Sequence, residues 1–169
     1  MNRFFIILVC SFVGASAARS EMTADSRDLL IEKLSQVQTR LSPKDPSNVP
    51  VTLRLADLLS DRARLDSMKE LESGCTVCKA GAKDRKLAMK LYQEVLDRTP
   101  SSSKGKVLIQ LGHLSQLNSN EEKAVTFYQQ ALNSSSAADI ESESHLALAE
   151  IYFKRHDFLS ARNHYEKVL

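Results

Sequence analysis

Apolar residues recur at intervals of three and four along most of the chain, which is the spacing of one face of an α-helix. The first such stripe begins after Ser26, which we expect to cap the helix, and ends before residues 42–48. Pro43 and Pro46 stop this helix because proline lacks the amide hydrogen that a helix needs. The stripe consists of Leu29, Leu30, Leu34, Val37 and Leu41. No segment alternates apolar and polar residues as a strand does, so the pattern predicts an all-α protein.

Two later segments carry the same residue types at the same offsets. One contains Leu111, Gly112, Ala124, Tyr128 and Ala131, and its counterpart, 37 residues later, contains Leu148, Ala149, Ala161, Tyr165 and Val168. A partial third copy lies upstream, at Ala88, Tyr92 and Val95. We interpret the small residues as points where two antiparallel helices approach closely. The tyrosine one turn later is expected to fill the space beside them, and each helix pair then stacks on the next.

These residues resemble the tetratricopeptide repeat, a helix-turn-helix unit with a period of about 34 residues. The resemblance covers residues 49–169 and implies a right-handed superhelix, that is, an α-solenoid of antiparallel helix pairs. It divides the region into repeats at 49–100, 105–138 and 142–169, after a leading helix or cap and linker at 18–48. The third repeat stops within its second helix. We therefore expect it to be truncated, or its last face to be covered by a partner or by self-association.

The first repeat differs from the others by an insertion around residues 66–84. Ala56 and Ala88 are 32 residues apart, against twelve residues in the other copies. Apolar spacing continues to about Glu72, which predicts a helix that projects on the order of 20 Å beyond the stack. Ser73 and Gly74 should end that helix, and Asp84 is expected to cap the returning one.

Cys75 and Cys78 lie near the tip of this insertion. In an oxidising compartment we expect them to form a small disulfide. A free or partner-linked pair and a zinc site stay open as alternatives, although zinc needs four ligands and no second ligand pair follows. Thiol–disulfide catalysis is disfavoured because the strand-helix-strand context of such motifs is missing.

The N-terminal residues have the features of a signal peptide at residues 1–17. Asn2 and Arg3 precede a run of ten residues, Phe4–Val13, that is apolar except for Ser11, and Ala15-Ser16-Ala17 matches a signal-peptidase site. A run of ten residues is too short to span a bilayer, which takes about 20. We therefore expect an exported protein, in the bacterial periplasm or cell envelope or outside the cell, with no membrane span after cleavage.

Charge and candidate chemistry both argue against several classes of function. Basic and acidic residues number 23 and 21 and are interspersed, so no basic stripe is available for nucleic acid. The four histidines do not share an i, i+4 spacing, and no motif places a serine or cysteine as a nucleophile. We expect a protein that is not an enzyme and that has no cofactor and no metal site.

The resemblance also implies where other proteins would bind. In tetratricopeptide repeats the first helix of each unit lines a concave groove. The corresponding positions are Arg54, Asp57, Asp61, Lys106, Ile109, Gln110, His113, Gln116, Leu146, Glu150, Phe153 and Lys154. The expected function is a protein-binding scaffold of an envelope assembly. Two alternatives stay open, namely a redox- or metal-responsive adaptor that uses the CxxC tip and the binding arm of a longer enzyme.

Overall fold

A computed structural model describes residues 22–75 and 79–168, and these residues contain helices and no strand. The prediction of an all-α protein is therefore confirmed. The predicted signal peptide at residues 1–17 lies outside the described residues. Seven α-helices occur in the described ranges, with a short 3-10 helix, Leu96–Arg98, after the third. They are α1 (Ala24–Gln38), α2 (Asn48–Glu72), α3 (Ala82–Val95), α4 (Ser101–Leu117), α5 (Glu121–Ser134), α6 (Ala138–Lys154) and α7 (Phe158–Tyr165).

Helices that follow one another in the chain pack together as pairs. The most extensive contacts join α2 with α3, α4 with α5 and α6 with α7, while α1 packs on α2. Helices that are joined by a short connection and pack along their length run antiparallel. Neighbouring pairs touch through α3 with α4, α5 with α6 and α4 with α6. No helix in residues 22–75 and 79–168 is both long enough and apolar enough to cross a membrane.

The small residues that define the sequence pattern are buried where helices meet. Ala56, Gly112 and Ala149 are buried on the first helices of the three pairs, and Ala88, Ala124 and Ala161 are buried on the second helices. Gly112 shows the reason most clearly, since an added Cβ would lie 2.6 Å from Cζ of Tyr128. The interior forms two clusters, one centred on α2 and α3 and the other on α5 and α6, and α4 contributes to both.

The three tyrosines at the repeated position do not share one environment. Tyr92 and Tyr128 are fully buried, as expected, but Tyr165 is 38% exposed. Tyr92 shares its cluster with residues of α4, and Tyr128 shares its cluster with residues of α6. No helix follows α7 within residues 79–168, so no further helix pair there packs on Tyr165. The expectation that Tyr165 fills an interior space is therefore wrong for the described chain.

Two predicted helix caps are also wrong, although a predicted helix end is right. Thr23 caps α1, and its Oγ1 accepts a hydrogen bond from the backbone N–H of Ser26. Gly81, with φ of +72°, precedes α3 and leaves Asp84 inside the first turn. α2 ends at Glu72, as its apolar spacing predicts, and Gly74 follows with φ of +85°. A positive φ favours glycine, which has no Cβ to collide with the backbone.

The inserted extension does not project freely, because the returning chain packs along it. Gly81 lies against the backbone of Ala63, where any Cβ would collide. Ser67 donates a hydrogen bond to the Ala80 carbonyl at 3.0 Å, and the Ala80 N–H donates to Glu70 at 2.5 Å. The part of α2 beyond Ala63 spans about 14 Å at 1.5 Å per residue. The length of the extension is thus of the expected order, and the extension is held on one side.

An arginine ties this extension to the helices around it. The guanidinium of Arg62 contacts Asp84 through Nε at 2.6 Å and through a second nitrogen at 3.0 Å. Its remaining nitrogen contacts Asp28 of α1 at 2.9 Å. The bond to Asp84 is the main cause that raises the pKa of Arg62, and the Asp28 carboxylate adds to it. Asp84 is therefore a structural anion that joins α3 to α2, not a helix cap.

Candidate binding surface

A cleft of about 590 Å³ separates α2 from α4, and four of the predicted groove residues line it. These four are Asp61, Gln110, His113 and Gln116. We call this site the α2–α4 cleft; its remaining lining residues are Ser60, Arg64, Leu114 and Leu117. Residues 49 positions apart in sequence, Asp61 and Gln110, thus face the same space. The first helices of two consecutive pairs form this cleft together.

The floor of the cleft is fixed by the hydroxyl of the buried Tyr128. This hydroxyl donates to Oε1 of Gln116 at 2.6 Å and lies 3.1 Å from Nδ1 of His113. The other ring nitrogen of His113 lies 3.1 Å from Oε1 of Glu143 on α6. Burial is the main cause that raises the pKa of Tyr128, and the nearby carboxylates of Glu143 and Glu150 raise it further. These contacts connect side chains of α4, α5 and α6.

The preceding helix pair repeats this arrangement with a carboxylate in place of the imidazole. The hydroxyl of Tyr92 donates to Oδ1 of Asp57 at 2.5 Å. Burial raises the pKa of Asp57, and the hydrogen bond from Tyr92 and the charge of Arg54 oppose that rise. Asp57 and His113 occupy the same place relative to their small residues, Ala56 and Gly112. Two successive tyrosines therefore each orient one polar side chain that was predicted to face a partner.

The α6 part of the predicted surface is exposed and partly ion-paired. Leu146, Glu150 and Phe153 are exposed, and Phe153 is 57% accessible. Lys154 contacts Glu121 at 3.1 Å, and both line a second, polar depression of about 430 Å³ that also includes Gln116. Ion pairs at this level of exposure contribute little to stability. They fix the direction of the side chains more than they stabilise the fold.

The remaining predicted residues divide into exposed ones and one that is buried. Arg54 and Lys106 are exposed on α2 and α4, and Lys106 lies 3.8 Å from Asp139. Ile109 is 1% exposed and belongs to the core cluster of α5 and α6. A partner cannot contact Ile109, so the structure corrects its assignment to the groove. Other helices pack on two sides of α4, and for this reason Leu108, Ile109 and Leu111 of α4 are all buried.

The cysteine pair is described only in part. Cys75 is half-buried just after α2, and its backbone N–H lies 3.4 Å from the Glu70 carbonyl. Cys78 lies outside the described residues, so the disulfide stays a prediction. In residues 22–75 and 79–168, no group of three or more Cys, His, Asp and Glu side chains is arranged to hold a metal ion.

Sequence reasoning also missed a contact between two histidines. His145 of α6 and His164 of α7 bring their Nδ1 atoms to 2.9 Å. A search for metal-ligand spacing within one helix does not detect it, because the two residues are 19 positions apart.

Comparison with known proteins adds no assignment. The chain matches no model of a known protein family, and it matches none of the curated proteins with which it was compared.

Proposed function

We propose that this protein is a binding scaffold of the tetratricopeptide-repeat type that holds a segment of another protein against α2, α4 and α6. The observation that carries the proposal is the α2–α4 cleft, in which side chains from two successive first helices face one space. Stacked helix pairs create extended surfaces of this kind. The repeated tyrosine contacts, Tyr92 with Asp57 and Tyr128 with His113, support an internal repeat at the level of the site.

The chemistry of the cleft suits recognition by hydrogen bonds. Asp61, Arg64, Gln110 and Gln116 offer charged and amide groups, while Leu114 and Leu117 give an apolar margin. Binding sites combine an apolar lining with a few placed polar groups. Because Tyr128 orients Gln116 and His113 before any partner arrives, less side-chain freedom is lost on binding. An extended or helical peptide with polar and aliphatic side chains fits this lining.

Photo-crosslinking tests this proposal at the level of single residues. A photoreactive amino acid replaces Gln110 in the cleft, and a matched variant carries it at Gln129, an exposed position on α5. The expected result is a discrete crosslinked species in envelope extract from the Gln110 variant and none from the Gln129 variant. Equal crosslinking patterns from the two positions would contradict the proposal.

A charge-matched pair of variants then measures affinity for the crosslinked partner. Asp61→Lys with Gln110→Lys changes the cleft by three positive charges, and Glu94→Lys with Gln129→Lys makes the same change on exposed positions of α3 and α5. The cleft variant should bind at least about tenfold more weakly, as expected for losing one strong polar contact of about 1.4 kcal/mol. The control variant should bind like the wild type.

We also propose that the protein is exported and that Cys75 and Cys78 form a disulfide. The supporting observations are the charge, apolar run and small residues of the first 17 positions, and the CxxC spacing. Intact-mass measurement of protein from cell envelopes tests both at once. The expected mass is that of a chain that begins at Ala18. Alkylation should raise this mass only after the protein has been reduced. A chain that retains residues 1–17, or that is alkylated without reductant, would contradict the respective part.

A further inference from the structure

The strongest unassigned feature is the contact of His145 with His164 between α6 and α7. Their Nδ1 atoms are 2.9 Å apart, and the centroids of the rings are 5.1 Å apart. The distance between the centroids exceeds the distance between the Nδ1 atoms by about twice the distance from a ring centroid to its own Nδ1. Both Nδ1 atoms therefore lie close to the line that joins the centroids, and each points at the other. In this geometry one ring donates its N–H and the other accepts it. Two ligands of one metal ion would instead turn their lone pairs toward a common point.

The groups around the pair favour a low degree of protonation. The ring of Tyr152 on α6 stacks on that of His164, with centroids 5.5 Å apart and planes at 13°. Lys167, beyond α7, places a positive charge near both rings, whereas Glu141 on α6 is the one carboxylate that acts on His145. Burial is the main cause that lowers the pKa of both histidines, and the proximity of His145 further lowers that of His164.

The last helix packs along α6 but contributes little buried surface of its own. Among the eight residues of α7, only Ala161 is buried. Phe158 and Leu159 are exposed, the latter by 73%, and Tyr165 is partly exposed. A single hydrogen bond to α6 therefore accounts for a large share of the polar contacts that fix α7. Elements with few buried contacts open locally at low free-energy cost.

We propose that the His145–His164 pair is a proton-sensitive clasp, which fixes α7 on α6 at neutral pH and releases it when both rings are protonated. With both rings neutral, the pair shares one N–H···N bond. One added proton keeps that bond, because a protonated ring still donates to a neutral one. A second proton places two N–H donors and two positive charges head-on, and the bond is lost. Release uncovers the face of α6 that contacts Ala161.

The direction of the pH dependence follows from proton binding in the two states. The histidines of released α7 titrate near their ordinary pKa of about 6.5, whereas the docked pair has lowered pKa values. The released state therefore binds more protons over the interval between these values, and docking becomes more favourable as pH rises. The clasp is complete above pH 6.5 and weakens as pH falls below it. Each pH unit in the interval changes the docking equilibrium by up to about tenfold per histidine.

Hydrogen exchange of the mature full-length chain tests the clasp. Protection factors of α7 amides, corrected for intrinsic exchange, are compared with those of α5 between pH 7.5 and 5. In the wild type, protection of α7 should fall about tenfold or more relative to α5. His164→Asn keeps a donor at the position of Nδ1 but cannot be protonated, so its α7 protection should change much less. The reciprocal His145→Asn variant should behave in the same way.

His156→Asn provides the matched control, because His156 is exposed and has φ of +61°, which asparagine tolerates. It should show the wild-type dependence on pH. Equal pH dependence of α7 protection in the wild type and in both asparagine variants of the pair would overturn the proposal. Stabilisation of α7 by added Zn²⁺ that chelator reverses would overturn it as well, since the pair would then be a metal chelate. The test does not depend on the proposed scaffold function, because it measures helix docking and not partner binding.

Discussion

The α4–α5 and α6–α7 pairs carry the same residue pattern, yet only the first has a closed interior. Tyr128 on α5 is fully buried against Gly112 and is covered by residues of α6. Tyr165, at the same position of α7, is 38% exposed, although the small residues Ala149 and Ala161 beside it are buried. The small residues bring the two helices of a pair together, and the tyrosine packs both on its own pair and on the next pair. In a stack of this kind the pattern specifies both contacts, but burial of the tyrosine requires a neighbour.

The α2–α4 cleft and the α6–α7 pair also differ in how their surface side chains are held. The α2–α4 cleft has a floor in which Tyr128 orients Gln116 and His113. The α6–α7 pair instead exposes Phe153 and Phe158, whose rings meet at 5.5 Å. Single exposed apolar residues are ordinary, but a cluster of them is typical of an interaction surface. The first region contains side chains that Tyr128 orients, and we propose that the second changes its contacts with pH.

The largest expected effect comes from removing the tyrosine in each pair. Tyr128→Ala should lower the free energy of unfolding by about 3–5 kcal/mol, the range for a large buried aromatic residue. Tyr165→Ala should change it by no more than about 0.5 kcal/mol, because the side chain lies at the surface. Urea denaturation monitored by circular dichroism measures both. Equal losses at the two positions would contradict the view that a neighbouring helix pair determines how far the tyrosine is buried.

Tyr92→Ala sharpens the comparison, because Tyr92 is buried beneath α4 as Tyr128 is beneath α6. Its loss should resemble that of Tyr128→Ala and not that of Tyr165→Ala. A small effect at position 92 would mean that the neighbouring pair is not what determines the burial of these tyrosines.

Much of the helical architecture could be predicted from the sequence, since local signals determine it. The apolar spacing of α2 predicts its end at Glu72, and Ser73 and Gly74 provide the stop. The buried positions of Ala88 and Ala124 follow from their offsets to the tyrosines. Periodicity of 3.6 residues reports which face of a helix is covered, and that information is contained in a short window.

Contacts between distant segments could not be predicted in the same way. The sequence predicts Asp84 as a helix cap, but Asp84 lies inside the first turn of α3 and makes a bidentate contact with Arg62, 22 residues away. Ile109 has the position of a groove residue, yet α4 is packed on two sides and buries it. The His145–His164 contact depends on the relative rotation of two helices. Such rotations are set by packing of the whole interface, which no single window contains.

Part of the candidate cleft could be predicted from the sequence, because its residues recur at fixed positions of the repeated pattern. Asp61, Gln110, His113 and Gln116 were assigned by their place in the repeat, and the structure brings them to one cleft. The contacts of the Tyr128 hydroxyl with Gln116 and His113 were not predicted. The tyrosine was interpreted as a space-filling residue, and its hydroxyl was given no role. A buried tyrosine that reaches a surface with its hydroxyl is a signal that can be sought at the other repeats.

The most direct test of the account is a double-mutant cycle between Gly112 and Tyr128. Gly112→Ala should lower the free energy of unfolding by about 1–3 kcal/mol through overpacking, although alanine favours the helix by about 0.5–1 kcal/mol. In the Tyr128→Leu background, which removes the ring, that loss should largely vanish and leave a coupling of about 1 kcal/mol or more. The matched cycle of Ala149→Val with Tyr165→Leu should give coupling near zero, because Tyr165 is largely outside the interior. Absence of coupling between Gly112 and Tyr128, or equal coupling in the two cycles, would contradict the account.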